Sequence, residues 1–460
     1  MRPVHLLPLA LLLLPVGCAS PPAPDPDETP ASDDRHAMAA AYSADKAGDA
    51  IIIYEAGEVV LAEGQNGYPL DRPHILASGT KSFSGVLALA AQADGLLDID
   101  ALIAEVIPEW ADDDEKASIT VRQLLNLTSG LDPGQVGQAQ SFDASLDADL
   151  VHEPGEEFRY GPDNFQAFGG VLNRVLEGEA ADAYLERRIL EPIGATVAEW
   201  NTTDGDTNLS AGARMTADDW LRFGQLVLND GAWNGEQILE PGVRDALRET
   251  PSAAPGYGLT FWLNHPVPEH HAFLEYTPVQ GDGPEGFIYT DGPDDLLMAA
   301  GLFNQRLYVI PSREMVVVRF GRADPSWNDA EFLARVLEGE PLDRPQAQEA
   351  RTMVDGDELM ARMRMTQLTN ELDLSEAQQE ELFPEIKAHM ERMQDLLEPL
   401  QADESLRRLQ RLRLLRQVRQ QQDATDEVVL NVLTSEQAEQ YNDLRERERS
   451  EFRERWQNGR

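Results

Sequence analysis

The sequence predicts an α+β unit followed by an all-α unit, and three observations carry that expectation. Short apolar runs near both ends of the first 350 residues read as strands, enclosing a Gly- and Pro-punctuated middle that reads as helices and loops. Everything after Met353 is helical in pattern. The charge balance changes at the same place. Residues 1–350 hold 58 acidic and 21 basic side chains, against 24 and 17 in residues 351–460.

Taken in order, residues 50–55 and 59–63 read as two strands joined at Ala56-Gly57-Glu58, a hairpin signal. A helix is expected over 78–93. Phe83, Val86, Leu87 and Ala90 fall on one side of it, and Asp94-Gly95 marks its stop. Residues 296–303, 306–310 and 315–320 read as three consecutive strands, 330–337 as a helix, and a Pro-containing connector follows.

Composition limits the function. Of 460 residues, 82 are Asp or Glu and 38 Lys or Arg, a formal charge of −44. That balance excludes non-specific nucleic-acid binding, which needs cations to neutralise phosphates, and electrostatic docking on anionic membranes. A hydrophobic content of 42 % with aromatics throughout marks a globular chain. One cysteine permits no internal disulfide.

That cysteine follows a short apolar run, 6–16, interrupted by Pro8 and Pro15. The run is too short to span a bilayer but suits a signal-peptide core. Gly17-Cys18-Ala19-Ser20 resembles a bacterial lipoprotein signal, although Pro15 stands where that motif usually has leucine. The resemblance implies lipidation of Cys18 and a lipid-anchored, periplasm-facing protein of the cell envelope. Ala19 favours the outer membrane. The expected organisation is a signal peptide over 1–18, a Pro/Asp-rich tether over 19–36, a catalytic unit over 37–342 and a helical unit over 343–460.

Only four lysines occur: Lys46, Lys81, Lys116 and Lys387. Two of them end a Ser-x-x-Lys, the spacing that puts hydroxyl and amine one helical turn apart. A neutral lysine in a dry site can take the serine proton and create a nucleophile for acyl transfer. Ser43-Ala-Asp-Lys46 lies in a polar stretch with Asp45 beside the amine, which is expected to stay charged and wet. Ser78-Gly-Thr-Lys81 opens an apolar helix and is the functional candidate.

The run Ala77-Ser-Gly-Thr-Lys-Ser-Phe83 resembles the nucleophile segment of the serine β-lactamase/penicillin-binding-protein superfamily, in its class C and esterase-like branch. Further segments match in order: Val121 to Leu131 (VRQLLNLTSGL), Glu153 to Tyr160 (EPGEEFRY), Met215 to Gly224 (MTADDWLRFG) and Tyr257-Gly-Leu259. The resemblance implies an antiparallel sheet with a helical subdomain. It also implies a site in which Ser78 attacks a carbonyl, Lys81 holds the proton network and Tyr160 is general base as a phenolate. The backbone N–H groups of Ser78 and Leu302 would bind the oxyanion. No cofactor is implied.

Two departures stand out. The family's Tyr-x-Asn becomes Tyr160-Gly-Pro162, leaving Asn164 as a candidate substitute. Its Lys-Thr-Gly or His-Thr-Gly aligns with Ala299-Ala300-Gly301, so the cation that binds a substrate carboxylate is missing. Gly301 still permits close backbone approach. Gln305 is placed either to donate into the cleft or to sit in a solvent-facing turn. The eight histidines lack ligand spacing and read as structural or exposed, so no metal is implied.

In the tail, Leu374-Ser-Glu-Ala-Gln378 and Leu433-Thr-Ser-Glu-Gln437 each read as a helix-starting capping box. The pair resembles the LTxxQ motif of Spy-like periplasmic helical proteins. An apolar stripe (Leu406, Leu409, Leu412, Leu415, Val418) and six methionines, Met353 to Met393, suit core packing, a homodimer seam or binding of an envelope protein. The expected activity is a serine hydrolase for a small-molecule or peptide ester or amide, with β-lactam turnover weak or absent. The rival is a catalytically impaired envelope-binding lipoprotein.

Overall fold

The computed structural model describes residues 32–342, apart from 114, 269–270, 276–280, 282–287 and 325, together with much of 361–445. Cys18 and most of the expected tether lie outside the described residues.

The first helix, α1 (Ser32–Asp45), starts inside the stretch expected to be tether. Its Ala-rich centre has high helix propensity, and Ala39 and Ala40 are buried. Strands β1 (Gly48–Glu55) and β2 (Glu58–Gly64) form the expected hairpin. Helices α2 (Ser82–Ala93), α3 (Asp163–Val175) and α4 (Ala217–Leu228) follow. Then come β3 (Trp262–Leu263), β4 (Leu297–Gly301), β5 (Gln305–Ile310), β6 (Met315–Gly321) and α5 (Asp329–Glu338). The sheet is antiparallel in the order β3-β4-β5-β6-β1-β2.

Strands β5 and β6 are buried along their whole lengths because helices cover both faces. On one face Phe320 stacks on Trp220 of α4 with ring centres 5.7 Å apart. There Gly224 lets the helix close on Leu307 and Val316, since a Cβ would lie 2.7 and 2.6 Å from their side chains. On the other face α1 and α5 pack with Tyr42, Trp327 and Phe332. A buried polar cluster is embedded there. Arg306 Nε donates to Asp329 Oδ1 at 2.7 Å, and the same carboxylate accepts from Tyr308 at 2.6 Å and Trp327 at 3.0 Å.

The competing Ser43 and Lys46 belong to this scaffold. The Ser43 hydroxyl donates to Gln65 at 2.8 Å, and Lys46 pairs with Asp45 at 3.2 Å.

The tail forms helices α6 (Glu376–Ala402) and α7 (Arg408–Val432) around a core of its own, including Leu368, Leu382, Ile386, Val429 and Tyr441. Both capping boxes form. The Ser375 N–H donates to Gln378 and the Thr434 N–H to Gln437, each at 3.0 Å, with the return bonds in place. The two box glutamines also meet, Gln378 Nε2 donating to Gln437 Oε1 at 2.8 Å. Among the expected tail methionines Met365 is buried in this core, whereas Met353, Met360 and Met363 lie outside the described residues, as does Leu406.

Candidate active site

The nucleophile sits on a 3-10 turn, Ala77–Lys81, that feeds α2; the expected helix therefore begins as a tighter turn. Ala77, immediately before Ser78, has φ +47°, a left-handed conformation that alanine rarely adopts, so the turn carries backbone strain. The turn is pinned at Leu76, whose N–H donates to the Ala213 carbonyl at 2.9 Å. Gly79 is required behind it, because a Cβ there would lie 2.8 Å from the Trp220 ring.

Lys81 is 4 % exposed. Its Nζ donates to Ser78 Oγ at 3.2 Å and to the Ser210 carbonyl at 2.8 Å. The amine also lies 4.9 Å from the Tyr160 ring centre and 5.2 Å from that of Phe165. Burial pushes its pKa down from 10.5 to about 7, because a desolvated ammonium loses the hydration that stabilises its charge.

Tyr160 is brought to the same point. Its segment is held by Arg159 N–H donating to Leu127 O at 2.9 Å and Gly155 N–H to Thr128 O at 2.7 Å. The phenol hydrogen-bonds Ser78, yet burial pushes its pKa up to about 12. The phenolate expected from the resemblance is thus disfavoured in this geometry. The amine that would stabilise it lies against the ring face, is itself only about half charged at pH 7, and directs its hydrogen bonds to Ser78 and Ser210.

Gly301 ends β4 against the nucleophile turn. A Cβ on it would lie 2.0 Å from the Leu76 carbonyl oxygen and 3.2 Å from Gly79 N, so no larger residue fits without moving the turn. Leu302 opens a 3-10 turn (Leu302–Asn304), and Ser78 lies early in its own; leading N–H groups of such turns have no acceptor within the turn. These are the two N–H groups that the resemblance assigns to the oxyanion. The strand ends here rather than at 303, because Phe303 and Asn304 adopt φ +59° and +63°.

Two expected substrate contacts fare differently. Asn164 is buried on the first turn of α3, and its Oδ1 accepts from the Ser129 hydroxyl at 2.5 Å, tying α3 to the Thr128-Ser129-Gly130 loop. Its amide is not a partner of Lys81. Gln305 corrects both expectations made for it, since it is 0 % exposed and faces neither cleft nor solvent. Its Nε2 donates to the carbonyls of Leu302, Phe303 and Gly321, and its Oε1 accepts from Gly321 N–H at 3.0 Å. It holds the turn after Gly301 from within.

Ala299 and Ala300 are 2 % and 4 % exposed and present no charge. Arg306, across the ladder from Ala300, is committed to Asp329 on the other face. Beside Tyr160 an aromatic wall rises: Trp262 lies 5.7 Å from it, and Phe158, Tyr257 and Phe273 pack behind. Sequence reasoning missed Ser210 and Trp262. Ser210 contributes a backbone carbonyl, which any residue type supplies, so no sequence signal exists for it.

The profile of the family described as Beta-lactamase matches residues 34–338. The chain belongs to the beta-lactamase family. Protein flp of Staphylococcus aureus (strain NCTC 8325 / PS 47) is 25 % identical over 178 residues, covering 34 % of this chain and 35 % of that protein. The chain thus spans about a third of the length of the curated relatives it matches first. Two solved structures share the beta-lactamase-like fold. One is EstCE1, described as a hydrolase with promiscuous acyltransferase activity, with TM-score 0.51, 18 % identity, and 66 % of this chain and 98 % of that one covered. The other is a penicillin-binding protein homolog from Caulobacter crescentus, with TM-score 0.51, 18 % identity, and 67 % and 96 % covered. With the family known, the expected fold class stands: an antiparallel sheet with helices, followed by a helical C-terminal region. Serine hydrolase chemistry is the activity general to such beta-lactamase-like proteins.

Proposed function

We propose that the protein hydrolyses an ester or simple amide through an acyl-enzyme on Ser78, with weak or absent β-lactam turnover. The observation that carries this reading is the buried Lys81 amine 3.2 Å from Ser78 Oγ, with its pKa near 7. The neutral amine accepts the Ser78 proton as Oγ bonds to the substrate carbonyl carbon. The developing oxyanion lies against the N–H groups of Ser78 and Leu302. As the tetrahedral adduct collapses, the Tyr160 hydroxyl protonates the departing oxygen or nitrogen, and the Lys81 ammonium returns a proton to Tyr160. Water then attacks the ester by the reverse route, releasing the acid and restoring Ser78.

Neutral acyl groups are favoured because Ala299 and Ala300 offer no cation and Arg306 is paired with Asp329. The test compares p-nitrophenyl esters with nitrocefin, using Ser78→Ala as control and fluorophosphonate labelling as an activity-independent readout. Ester turnover and labelling, both lost in Ser78→Ala, are expected. Efficient nitrocefin turnover with inert esters overturns the ranking, and a folded protein that takes no label overturns the hydrolase reading in favour of an envelope-binding protein.

Lipidation at Cys18, an envelope location and an LTxxQ-type role for the tail belong to the same proposal. They are supported by the signal-like start and the paired capping boxes. Cys18→Ser should move the protein from the membrane to the soluble fraction. Deleting 351–460 should cost dimerisation or solubility if the tail packs, and only anti-aggregation activity if it binds clients.

A further inference from the structure

Pro162 has no side-chain amide to hold Lys81, and Asn164 is occupied by Ser129. The second acceptor for the amine is the Ser210 carbonyl. That carbonyl belongs to an irregular loop between Thr207 and the short strand Ala213–Met215. A loop carbonyl can aim an amine only if the loop itself is fixed.

It is fixed to an unusual degree. Each of the six successive N–H groups from Asn208 to Ala213 has an acceptor: Asn201 O, Gln166 Oε1, Asn208 Oδ1 twice, Asn208 O and Thr80 Oγ1 in turn. Asn208 supplies three of these. Its Oδ1 takes the N–H of Ser210 and of Ala211, each at 3.0 Å, and also the Ser210 hydroxyl at 2.7 Å. Asparagine suits this task because its short side chain can hydrogen-bond the backbone two residues on. The remaining anchors come from the site itself. Gln166 lies one turn along α3 from Pro162, and Thr80 lies on the nucleophile turn.

We propose that Asn208 is a positioning residue that aims the Ser210 carbonyl at Lys81, in place of the side-chain amide missing at Pro162. This rests on the reading of Lys81 as the group that accepts the Ser78 proton. Around the amine, the facing titratable group is the Tyr160 phenol, and Phe165 closes the α3 side; burial lowers the lysine's pKa.

The carbonyl stabilises the ammonium more than the amine, because a dipole interacts more strongly with a charge. In Asn208→Ala the carbonyl is released. The acid limb of the rate profile should move to lower pH, and plateau kcat should fall about tenfold to a hundredfold with KM little changed. In Asn208→Asp the carboxylate keeps the bonds from Ser210 and Ala211 and adds negative charge near Lys81. Plateau activity should recover and the limb should move to higher pH.

The experiment measures fluorophosphonate labelling of Ser78 and ester turnover across pH, alongside melting temperature, for both variants. Opposite displacements of the limb support the proposal. Wild-type midpoints in both variants, or a lowered melting temperature with unchanged kcat in Asn208→Ala, overturn it. Should Asn208→Ala fail to fold, Asn208→Asp decides alone by the upward shift or its absence. Wild-type protein that takes no label defeats the Lys81 reading, and this inference with it; labelled wild type with unmoved variants defeats the inference alone.

Discussion

The Lys81 amine should impose its titration on acylation. Its pKa is about 7, against 10.5 for a solvated lysine. The neutral, proton-accepting fraction is then about one half at pH 7, about a tenth at pH 6 and about a hundredth at pH 5. For a neutral ester, kcat/KM should therefore rise about tenfold per pH unit up to about pH 7 and level off above it. Tyr160, at about 12, adds no descending limb in the neutral range. The assay is pH-stat hydrolysis of an ester whose leaving group does not titrate in this window, repeated with Ser78→Ala to remove background. Stability gives a second arm with a definite sign. The folded pKa lies below the unfolded one, so the penalty for a buried charge is full below about pH 7 and fades toward 10.5. The shift corresponds to about 5 kcal/mol, from which hydrogen bonds lost to Ser78 and Ser210 subtract about 1–3 kcal/mol. Lys81→Met should thus be inactive yet about 2–4 kcal/mol more stable than wild type at acidic pH, with the gain shrinking as pH rises. An activity profile flat down to about pH 5, or a limb in the usual carboxylate range, refutes the assignment.

Gly301→Ala should fold but lose about a hundredfold or more in kcat, because a Cβ 2.0 Å from the Leu76 carbonyl oxygen must displace the nucleophile turn; near-UV circular dichroism and labelling rate check it. Asp163 is 1 % exposed, its Oδ1 lacks a donor, and burial pushes its pKa up to about 6. A raised carboxyl contributes stability that is full below the unfolded value of 3.8 and is lost as pH rises through 6. Asp163→Asn should accordingly gain on the order of 2–3 kcal/mol at about pH 7.5 and nothing near pH 4, read from urea midpoints; parallel curves would contradict it. Asp329→Asn should cost about 3–5 kcal/mol by leaving the buried Arg306 guanidinium without its counter-charge, measured by denaturant unfolding.

What was legible in the sequence was chemistry carried by side chains at fixed spacing. Ser78 and Lys81 lie three residues apart, so one turn brings them together whatever the rest of the fold does. The capping boxes were legible for the same reason, each closing within four residues. Three features were not. The Ser210 carbonyl reaches Lys81 across 129 residues and carries no residue signature. Gln305 looked like a cleft or surface residue because glutamine is polar, yet its amide closes bonds to three carbonyls in the interior. Helix α1 was hidden by the Pro/Asp composition just before it, although its alanines were visible. The raised pKa of Tyr160 follows from its burial in the folded chain, which spacing alone does not determine.

The two departures from the family pattern have a common physical consequence. Pro162 stands where the family pattern has a side-chain amide and Ala299 where it has a cation, while Ser78, Lys81 and Tyr160 lie together. Loss of the amide is tolerable if a rigid carbonyl holds the amine, because the relay needs an acceptor of fixed position and not a particular side chain. Loss of the cation has no such backbone remedy: N–H dipoles can stabilise a transient oxyanion, but a permanent substrate carboxylate in a dry cleft needs a full counter-charge. The reading that follows is selection by charge. On the proposed hydrolase reading, a neutral acyl group meets the Trp262 wall at no electrostatic cost, whereas an anionic one would give up its hydration with no counter-charge at Ala299.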